Sequence, residues 1–276
     1  MAERVGAVRV IRSTFRLAPG VGPFLESRLW DAGVRRWDDL GDTAPAPLGP
    51  ALHARLRAAV DRARAALEAG DAEALAAMLP RNERWRLYGA FGRDAAFLDV
   101  EADGDELVAI GFLDARGPRI LLAGRDLASF PEEAQGWKLL VTFNGLSFDV
   151  PALRRAFPRW RPPRAHVDLR HVWGRLGHEG GLKLLETVTG VGRPPHVAGV
   201  TGRDAARLWR AHREQGDLAA LRLFAEYNLL DAVNLRTLMD LGYNRMIERL
   251  RLPAAPVPVS ERGDVAYDVT KLVLSL

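Results

Sequence analysis

The sequence predicts an α/β fold in which a mixed five-stranded sheet is flanked by helices. Short apolar runs separated by Gly- and Asp-containing turns begin at about Ala95 and are typical of strands connected by hairpins. Two later apolar runs alternate with helical patterns, as expected for strands that join a sheet through crossover connections. A meander of three strands extended by two such strands forms a mixed sheet.

Five apolar runs supply the predicted strands, and stretches with helical spacing of apolar residues surround them. The helical stretches cover most of residues 1–80, the segment after Phe148 and residues 181–242, with breaks at residues 190–202 and at Gly216. The predicted strands are residues 95–100, 107–113, 119–123, 139–143 and 165–169.

The composition is that of a globular protein and excludes several kinds of site. The 276 residues include no cysteine, so disulfides, thiolate nucleophiles and zinc–thiolate centres are excluded. The apolar runs are far shorter than the roughly 20 residues that cross a bilayer, and the first ten residues lack the apolar core of a signal peptide. We therefore expect a cytoplasmic protein without a membrane partner.

The basic residues are mostly arginines. The formal net charge is only +4, which is too small to demonstrate a polyanionic partner, and all but three of the 39 basic residues are arginines. The planar guanidinium suits phosphate recognition, but the codon usage of a GC-rich genome explains the same excess. The charge alone leaves both interpretations open.

Two acidic residues occupy the first predicted strand. Asp99 and Glu101 are two residues apart, so both side chains leave the same face of the strand. Neighbouring carboxylates repel each other unless a cation lies between them, and hard divalent cations prefer oxygen ligands. The pair predicts either a cation site or a strand that ends in solvent.

Two further acidic residues stand where a functional and a structural role are both reasonable. Asp149 follows the fourth predicted strand and opens a helix, so it is either a helix N-cap or part of a ligand site at the carboxyl end of a strand. Tyr227 and Asp231 are four residues apart on a late helix and share one helix face. That spacing is also common on helix surfaces.

Together and in this order, the three motifs resemble those of the DEDD exonuclease superfamily. They are Asp-x-Glu on a first strand, Asn-x-x-x-Phe-Asp after a fourth strand and Tyr-x-x-x-Asp on a late helix. The third motif is similar to that of the tyrosine branch, because Glu226 stands where the histidine branch has its histidine. The flanking segments WRLY, FLDVE, GGLK, LW and EYN are similar to the YprB-type RNase H-like domain family, and the resemblance covers about residues 80–250.

This resemblance implies an RNase H-like fold and a two-metal 3′–5′ exonuclease mechanism. Two Mg²⁺ or Mn²⁺ ions would be held by carboxylates, one ion activating a water and the other stabilising the leaving 3′ oxygen. Tyr227 would orient that water or help to deprotonate it. The implied metal ligands, which together with Tyr227 are the implied catalytic residues, are Asp99, Glu101, Asp149 and Asp231.

The implied partner is nucleic acid, DNA or RNA, held by a single-stranded 3′ end. Residues 151–175 carry seven arginines against one acid, with Trp160 and Trp173 interleaved. Such a pattern grips single strands through phosphates and bases, although a solvated helix face with tryptophans packed inward would look the same. The residues expected to contact nucleic acid or to position the motif loop are Asn144, Phe148, Arg154, Arg155 and Lys183.

One segment departs from the family pattern. Many members carry Thr-Thr-Gly after the first motif, whereas this chain has Ala102, Asp103 and Gly104. The metal ligands are unaffected, but the contacts to the terminal nucleotide would differ. Asp103 either places a negative charge near the expected phosphate path or caps a turn.

The patterns divide the chain into three predicted parts. Residues 1–80 form a helical accessory domain, residues 81–250 an RNase H-like exonuclease domain, and residues 251–276 a C-terminal arm. Residues 17–22 resemble the hairpin of helix-hairpin-helix modules, in which backbone N–H groups grip a phosphate. A tight turn would explain the same sequence.

Two other functions are compatible with the sequence. One is a non-catalytic nucleic-acid-binding or scaffold protein on the same fold, although such a protein has no need for clustered negative charge. The other is a two-metal endonuclease, which requires a cleft open enough to pass an uninterrupted strand.

Overall fold

The computed structural model contains a mixed five-stranded sheet flanked by helices, which confirms the predicted fold class. The structure describes residues 9–261, 263 and 267–274. Residues 1–8, which make up most of the ten-residue start considered above, lie outside the described residues. The strands are β1 (Ala95–Asp103), β2 (Glu106–Asp114), β3 (Gly117–Leu122), β4 (Leu139–Thr142) and β5 (His166–Asp168).

Helices precede, connect and follow the strands. Among the described residues, no helix combines the length and the apolar character needed to cross a membrane. Short 3₁₀ turns lie at Trp37–Asp39, Arg81–Leu87, Gly92–Asp94 and Leu127–Ser129. The α-helices are α1 (Arg9–Arg12), α2 (Pro23–Asp31), α3 (Pro50–Glu68), α4 (Ala72–Met78), α5 (Tyr88–Phe91), α6 (Phe130–Glu133), α7 (Asp149–Ala156), α8 (Leu169–Arg175), α9 (Leu182–Thr189), α10 (Pro195–Ala198), α11 (Gly202–Gln215), α12 (Leu218–Leu250) and α13 (Val269–Leu274).

The sheet leaves one side of β1 open beyond its first residues. The spatial order is β3-β2-β1-β4-β5. The meander β1-β2-β3 is antiparallel, and β4 and β5 join in parallel. Since β4 pairs with β1 only from Ala95 to Phe97, the β4 side of β1 is free of ladder partners where Asp99 and Glu101 follow.

The alternation of side chains along β1 separates an apolar face from the face that carries the acids. Ala96 and Val100 belong to the same apolar cluster as Phe130 of α6. Phe97 belongs to the cluster that contains Val233 of α12. Because successive residues of a strand point to opposite faces, the two odd-numbered acids of β1 continue the side that faces α12.

The long helix α12 extends further than the predicted helical stretch. The pattern was expected to end at Gly242, but the helix continues to Leu250. A Cβ at Gly242 would lie 3.2 Å from Nε1 of Trp173, so glycine here serves close packing of α12 against α8. Glycine costs about 1 kcal/mol relative to alanine inside a helix, and the close helix contact offsets that cost.

The helices before the sheet pack against it. Leu29 of α2 and Leu56 of α3 belong to the same buried cluster as Leu139 of β4. Arg86, which is almost fully buried, joins the two regions because its Nη2 donates to Glu26 at 2.8 Å. The division of the chain into three parts stays a prediction.

The segment after α12 follows that helix. Asn244 of α12 donates from Nδ2 to the carbonyl of Val257 at 2.8 Å and accepts from the Val257 N–H at 2.8 Å. Thr237 donates from its hydroxyl to the carbonyl of Ser260 at 2.7 Å. The described part of the predicted C-terminal arm is therefore bound to α12, while residues 262, 264–266 and 275–276 lie outside the described residues.

Candidate active site

Three carboxylates from two distant segments converge between β1 and α12. One oxygen from each of Asp99, Glu101 and Asp231 lies within 4.8 Å of the other two. The two strand residues are half-buried and Asp231 is buried. Carboxylate oxygens are the donors that Mg²⁺ and similar hard cations prefer, so these residues fit the divalent cations that the sequence resemblance implies.

An asparagine from α12 holds the first of these acids in place. Asn228 donates from Nδ2 to Oδ2 of Asp99 at 2.7 Å and lies against β2. Gly111 is the β2 residue paired with Asp99, and a Cβ at this position would lie 2.4 Å from Oδ1 of Asn228. Glycine at position 111 therefore makes room for the amide that orients Asp99.

Asp149 lies beside the three carboxylates without being a member of their group. Its Oδ1 accepts a hydrogen bond from the backbone N–H of Val100 at 3.1 Å, between the two acids of β1. The N-cap residue of α7 is Phe148, so Asp149 is not the N-cap. Its negative charge raises the pKa of Asp99 and of Glu101, which shows that it belongs to the same electrostatic environment.

Burial and mutual repulsion disfavour negative charge in this cluster. Burial, followed by the charges of the neighbouring acids, raises the pKa of Asp99 well above its usual range and that of Glu101 to about 8. The pKa of Asp231 is raised to about 6 because burial outweighs the opposing effect of a bound Arg193. A cation among these oxygens would relieve the repulsion and favour the ionised forms.

Tyr227 lies one helical turn before Asp231, on the same face of α12. It is buried, and burial together with the charges of Asp231 and Glu101 raises the pKa of its phenol far above the neutral range. A phenol that stays protonated at neutral pH donates a hydrogen bond and is a poor base.

A family model of the RNase H superfamily matches residues 96–243. The chain belongs to the RNase H superfamily. The matched segment begins in β1 and ends in α12, so it contains the whole acidic cluster. Comparisons with curated proteins and with solved structures found no match. Family membership and the acidic cluster together suggest a metal-dependent nuclease.

In this RNase H superfamily protein, Asp168 organises the loop between β4 and α7. It accepts the backbone N–H of Asn144 at 2.7 Å and that of Leu146 at 3.1 Å. It also caps α8 by accepting the N–H of Arg170 at 3.1 Å. The left-handed backbone of Asn144, with φ of 62°, is fixed by the same contacts.

Two side chains of the β4–α7 loop differ in their surroundings: that of Asn144 is hydrogen-bonded, and that of Phe148 is exposed. Asn144 accepts a hydrogen bond from Nη1 of Arg170 at 2.9 Å, and so is linked to α8. Phe148 is 46% exposed although it precedes a buried acid. An exposed phenylalanine at this position is available to a nucleotide base.

The basic segment between α7 and α8 is only partly free to bind phosphate. Arg154 and Arg155 are exposed on α7. Arg164, by contrast, contacts Glu73, and Arg175 donates to the carbonyl of Asn82 at 2.6 Å. Arg164 and Arg175 are therefore bound within the protein, whereas Arg154 and Arg155 remain exposed to solvent.

The two tryptophans of this segment do not stack on bases. Trp160 packs edge-on against Phe130 with ring centroids 5.1 Å apart, and Trp173 is 1% exposed. The suggestion that these rings bind bases is wrong. The alternative of inward packing is confirmed, because the core between the sheet and its helices needs large apolar side chains at these positions.

Lys183 of α9 faces the acidic cluster rather than open solvent. Its Nζ lies 4.6 Å from the centroid of the Tyr227 ring and donates to the carbonyl of Val200. Burial lowers the pKa of the ammonium group, and its charge partly opposes the rise that burial causes in the pKa of Glu101.

A cleft of about 780 Å³ opens beside the β4–α7 loop. Phe143 of that loop, Arg170 of α8 and Leu184 of α9 all line it. Leu184, which lines the cleft, directly follows Lys183, whose ammonium group lies over the Tyr227 ring, in the first turn of α9. The cleft combines cationic and apolar walls, as a single-stranded nucleic acid requires.

Several residues that shape this site were not predicted from the sequence. Arg193 contacts Asp231 and Glu186, and no local pattern distinguishes it from the many other arginines. Asn228 is adjacent to Tyr227 in the third motif, which was the available signal.

Asp103, which departs from the family pattern, forms an ion pair with Arg210 at 2.7 Å, and this contact lowers the pKa of the carboxyl group.

Proposed function

We propose that this protein is a metal-dependent 3′–5′ exonuclease of the DEDD type, in its tyrosine branch and of the YprB-type family. It would remove terminal nucleotides from a single-stranded 3′ end of DNA or RNA. The observation that carries this proposal is the convergence of Asp99, Glu101 and Asp231, with Asp149 beside them. Protein folding alone gives no reason to group so many acids in a buried place.

The residues of the cluster have distinct proposed roles. Asp99, Glu101 and Asp231 would hold divalent cations, and Asp149 would complete the ligand set for a second ion. Two such cations supply an activated water and neutralise charge on the phosphate and the leaving oxygen. Tyr227, with its protonated phenol, would orient the attacking water by donating a hydrogen bond or by contacting the phosphate.

Nucleic acid would reach the cluster past the β4–α7 loop and α9. Phe148 is exposed for stacking on the terminal base, and Arg154 and Arg155 present positive charge on α7. Lys183, whose ammonium group lies over the Tyr227 ring, would contact the phosphate next to the scissile bond. Asn144 would keep the loop in position through its hydrogen bond to Arg170.

The test is a cleavage assay on labelled single strands. DNA and RNA oligonucleotides labelled at the 5′ end are incubated with protein and Mg²⁺ or Mn²⁺, in parallel with closed circular single-stranded DNA. We expect a ladder that shortens from the 3′ end, intact circles and no reaction in EDTA. Asp99→Asn should be at least about 100-fold slower, since the metal site supplies several kcal/mol of stabilisation. Asp105→Asn, at an exposed position two residues beyond β1, is the matched control and should keep full activity.

Other outcomes would assign the alternative functions. Nicking of the circular substrate would identify an endonuclease. Binding of oligonucleotides without cleavage under every metal and label would favour a non-catalytic nucleic-acid-binding protein. A ladder that shortens from the 5′ end would contradict the proposed polarity.

A further inference from the structure

An arginine that is not part of the three motifs is bound to the acidic cluster. Arg193 lies in the loop between α9 and α10, and its side chain is only 5% exposed. It donates from Nε and from Nη2 to the two carboxylate oxygens of Glu186, each at 2.7 Å. The same Nη2 also donates to Oδ1 of Asp231.

The position of this guanidinium is fixed from two helices. Glu186 on α9 is buried, and its Oε1 also accepts from Nδ2 of Asn234 at 2.8 Å. Asn234 is fully buried on α12, three residues after Asp231. A bidentate arginine–carboxylate pair has a defined planar geometry, so Glu186 and Asn234 determine where Arg193 meets Asp231.

The contact divides the two oxygens of Asp231 between different partners. Oδ1 is bound by Arg193, whereas the hydrogen bonds of the described residues leave Oδ2 without a donor. Asp231 also lies in the group of carboxylates that fits a cation. A carboxylate with one oxygen held by a fixed donor cannot rotate freely about its terminal bond, so the direction of the other oxygen is determined.

We propose that Arg193 is a positioning residue for Asp231, holding one carboxylate oxygen so that the other is directed at the divalent cation. This inference rests on the proposed function, because it requires a cation at the cluster. Groups that hydrogen-bond to metal ligands typically contribute 10- to 100-fold to metal affinity. The bidentate partner Glu186 offsets the positive charge of Arg193, which limits its competition with the cation.

The experiment measures Mn²⁺ binding by the purified protein without nucleic acid. Titration calorimetry, with Mn²⁺ electron paramagnetic resonance as a second readout, is applied to the wild type, Arg193→Gln and Arg193→Lys. Because Arg193→Gln leaves two buried acids unpaired and risks loss of the fold, the double variant Glu186→Gln/Arg193→Gln is included. Arg203→Gln, at an exposed position of α11, is the matched control. Each protein is tested below its own unfolding temperature.

We expect the dissociation constant for Mn²⁺ to rise at least about 10-fold in the double variant. Arg193→Lys should fall between the double variant and the wild type, because lysine keeps the charge but loses the bidentate fork. Arg203→Gln should bind Mn²⁺ like the wild type.

Unchanged or tighter Mn²⁺ binding by the folded double variant would overturn the positioning role. Tighter binding would identify Arg193 as a competitor of the cation. Failure of the wild type to bind Mn²⁺ would overturn the metal site itself and the proposed function with it. If the wild type binds Mn²⁺ and degrades oligonucleotides while the variants keep its affinity, only the inference about Arg193 is overturned.

Discussion

Gly111 of β2 and Asn228 of α12 are in such close contact that a larger residue at position 111 would displace Asn228. A Cβ there would lie 2.4 Å from Oδ1 of Asn228 and 3.2 Å from its backbone carbonyl oxygen. The amide of Asn228 in turn holds Asp99 at 2.7 Å. The absence of a side chain on β2 thus determines where the first acid of the site is held.

Gly111→Ala is expected to destabilise the protein by about 1–3 kcal/mol, the usual cost of forcing an extra methyl group into a packed interior. Asn228 would have to move, and Asp99 would lose its hydrogen-bond donor. Urea unfolding measures the stability, and Mn²⁺ titration measures the effect on the cluster. Gly202→Ala is the control, since a Cβ there has no atom within 4 Å. Equal stability of Gly111→Ala and the wild type would contradict the close contact.

Asp99→Asn should stabilise the metal-free protein while removing its response to Mn²⁺. The substitution replaces a carboxyl group whose pKa is raised by burial and by the charges of Asp231, Asp149 and Glu101, so we expect the unfolding temperature in EDTA at pH 8 to rise. The amide of Asn228 keeps an oxygen to donate to. Thermal unfolding in EDTA and in Mn²⁺ measures both effects. Asp105→Asn should match the wild type in both solutions, and a lower stability of Asp99→Asn in EDTA would argue against mutual repulsion.

Metal binding should be linked to proton release. The pKa values of Glu101 and Asp231, about 8 and about 6, lie above those of an unfolded chain, which are near 4. The folded protein therefore holds extra protons between about pH 4 and pH 8. The stabilisation from these groups is fully present below about pH 4 and is lost as the pH rises through 6 and 8.

Since cations bind the ionised carboxylates, affinity for Mn²⁺ should increase from pH 6 to pH 8. Calorimetry at pH 7 in two buffers with different ionisation enthalpies measures the number of protons released, which we expect to be at least one, because the pKa values of Glu101 and Asp149 are raised to about 8 and about 7 and that of Asp99 is raised as well. A binding enthalpy that is the same in both buffers would contradict this linkage.

Phe148→Ala should weaken substrate binding without destabilising the fold. The ring is 46% exposed, so its removal creates no buried cavity, whereas loss of stacking on a base costs about 1–3 kcal/mol. The dissociation constant for a 3′-terminal single strand should rise about 5-fold or more, with an unchanged unfolding temperature. Leu218→Ala, at the 53% exposed first residue of α12, is the control. Equal affinity of Phe148→Ala and the wild type would exclude the ring from the substrate path.

Local sequence patterns were sufficient to predict the five strands, but not which side chains pack into the core and which face a ligand. The five strands were predicted from short apolar runs, because each run indicates a strand without reference to the rest of the chain. The inward packing of Trp160 and Trp173 could not be predicted from these local patterns. The sequence spacing of a tryptophan is the same whether it faces the core or a ligand, and only the packing of α6, α7 and α12 against the sheet decides between the two.

The site was predictable to the extent that its residues form recognisable motifs. Asp99 and Glu101 share a face because of the period of a strand, and Tyr227 and Asp231 share one because of the period of a helix. Their meeting was inferred from the resemblance, because no local pattern relates the strand to the helix. Arg193 carries no such signal. Its contact with Asp231 depends on the path of the loop after α9, which side-chain types alone do not specify.

Asn228 and the acid that it binds are 129 positions apart in the chain. A polypeptide still emerging from the ribosome therefore contains Asp99 and Glu101 long before α12 has been synthesised and docked. During that interval the third carboxylate, Asp231, is missing, so the group of carboxylates that fits a cation is incomplete. The site proposed for metal binding and hydrolysis is therefore complete only after α12 has packed against β1.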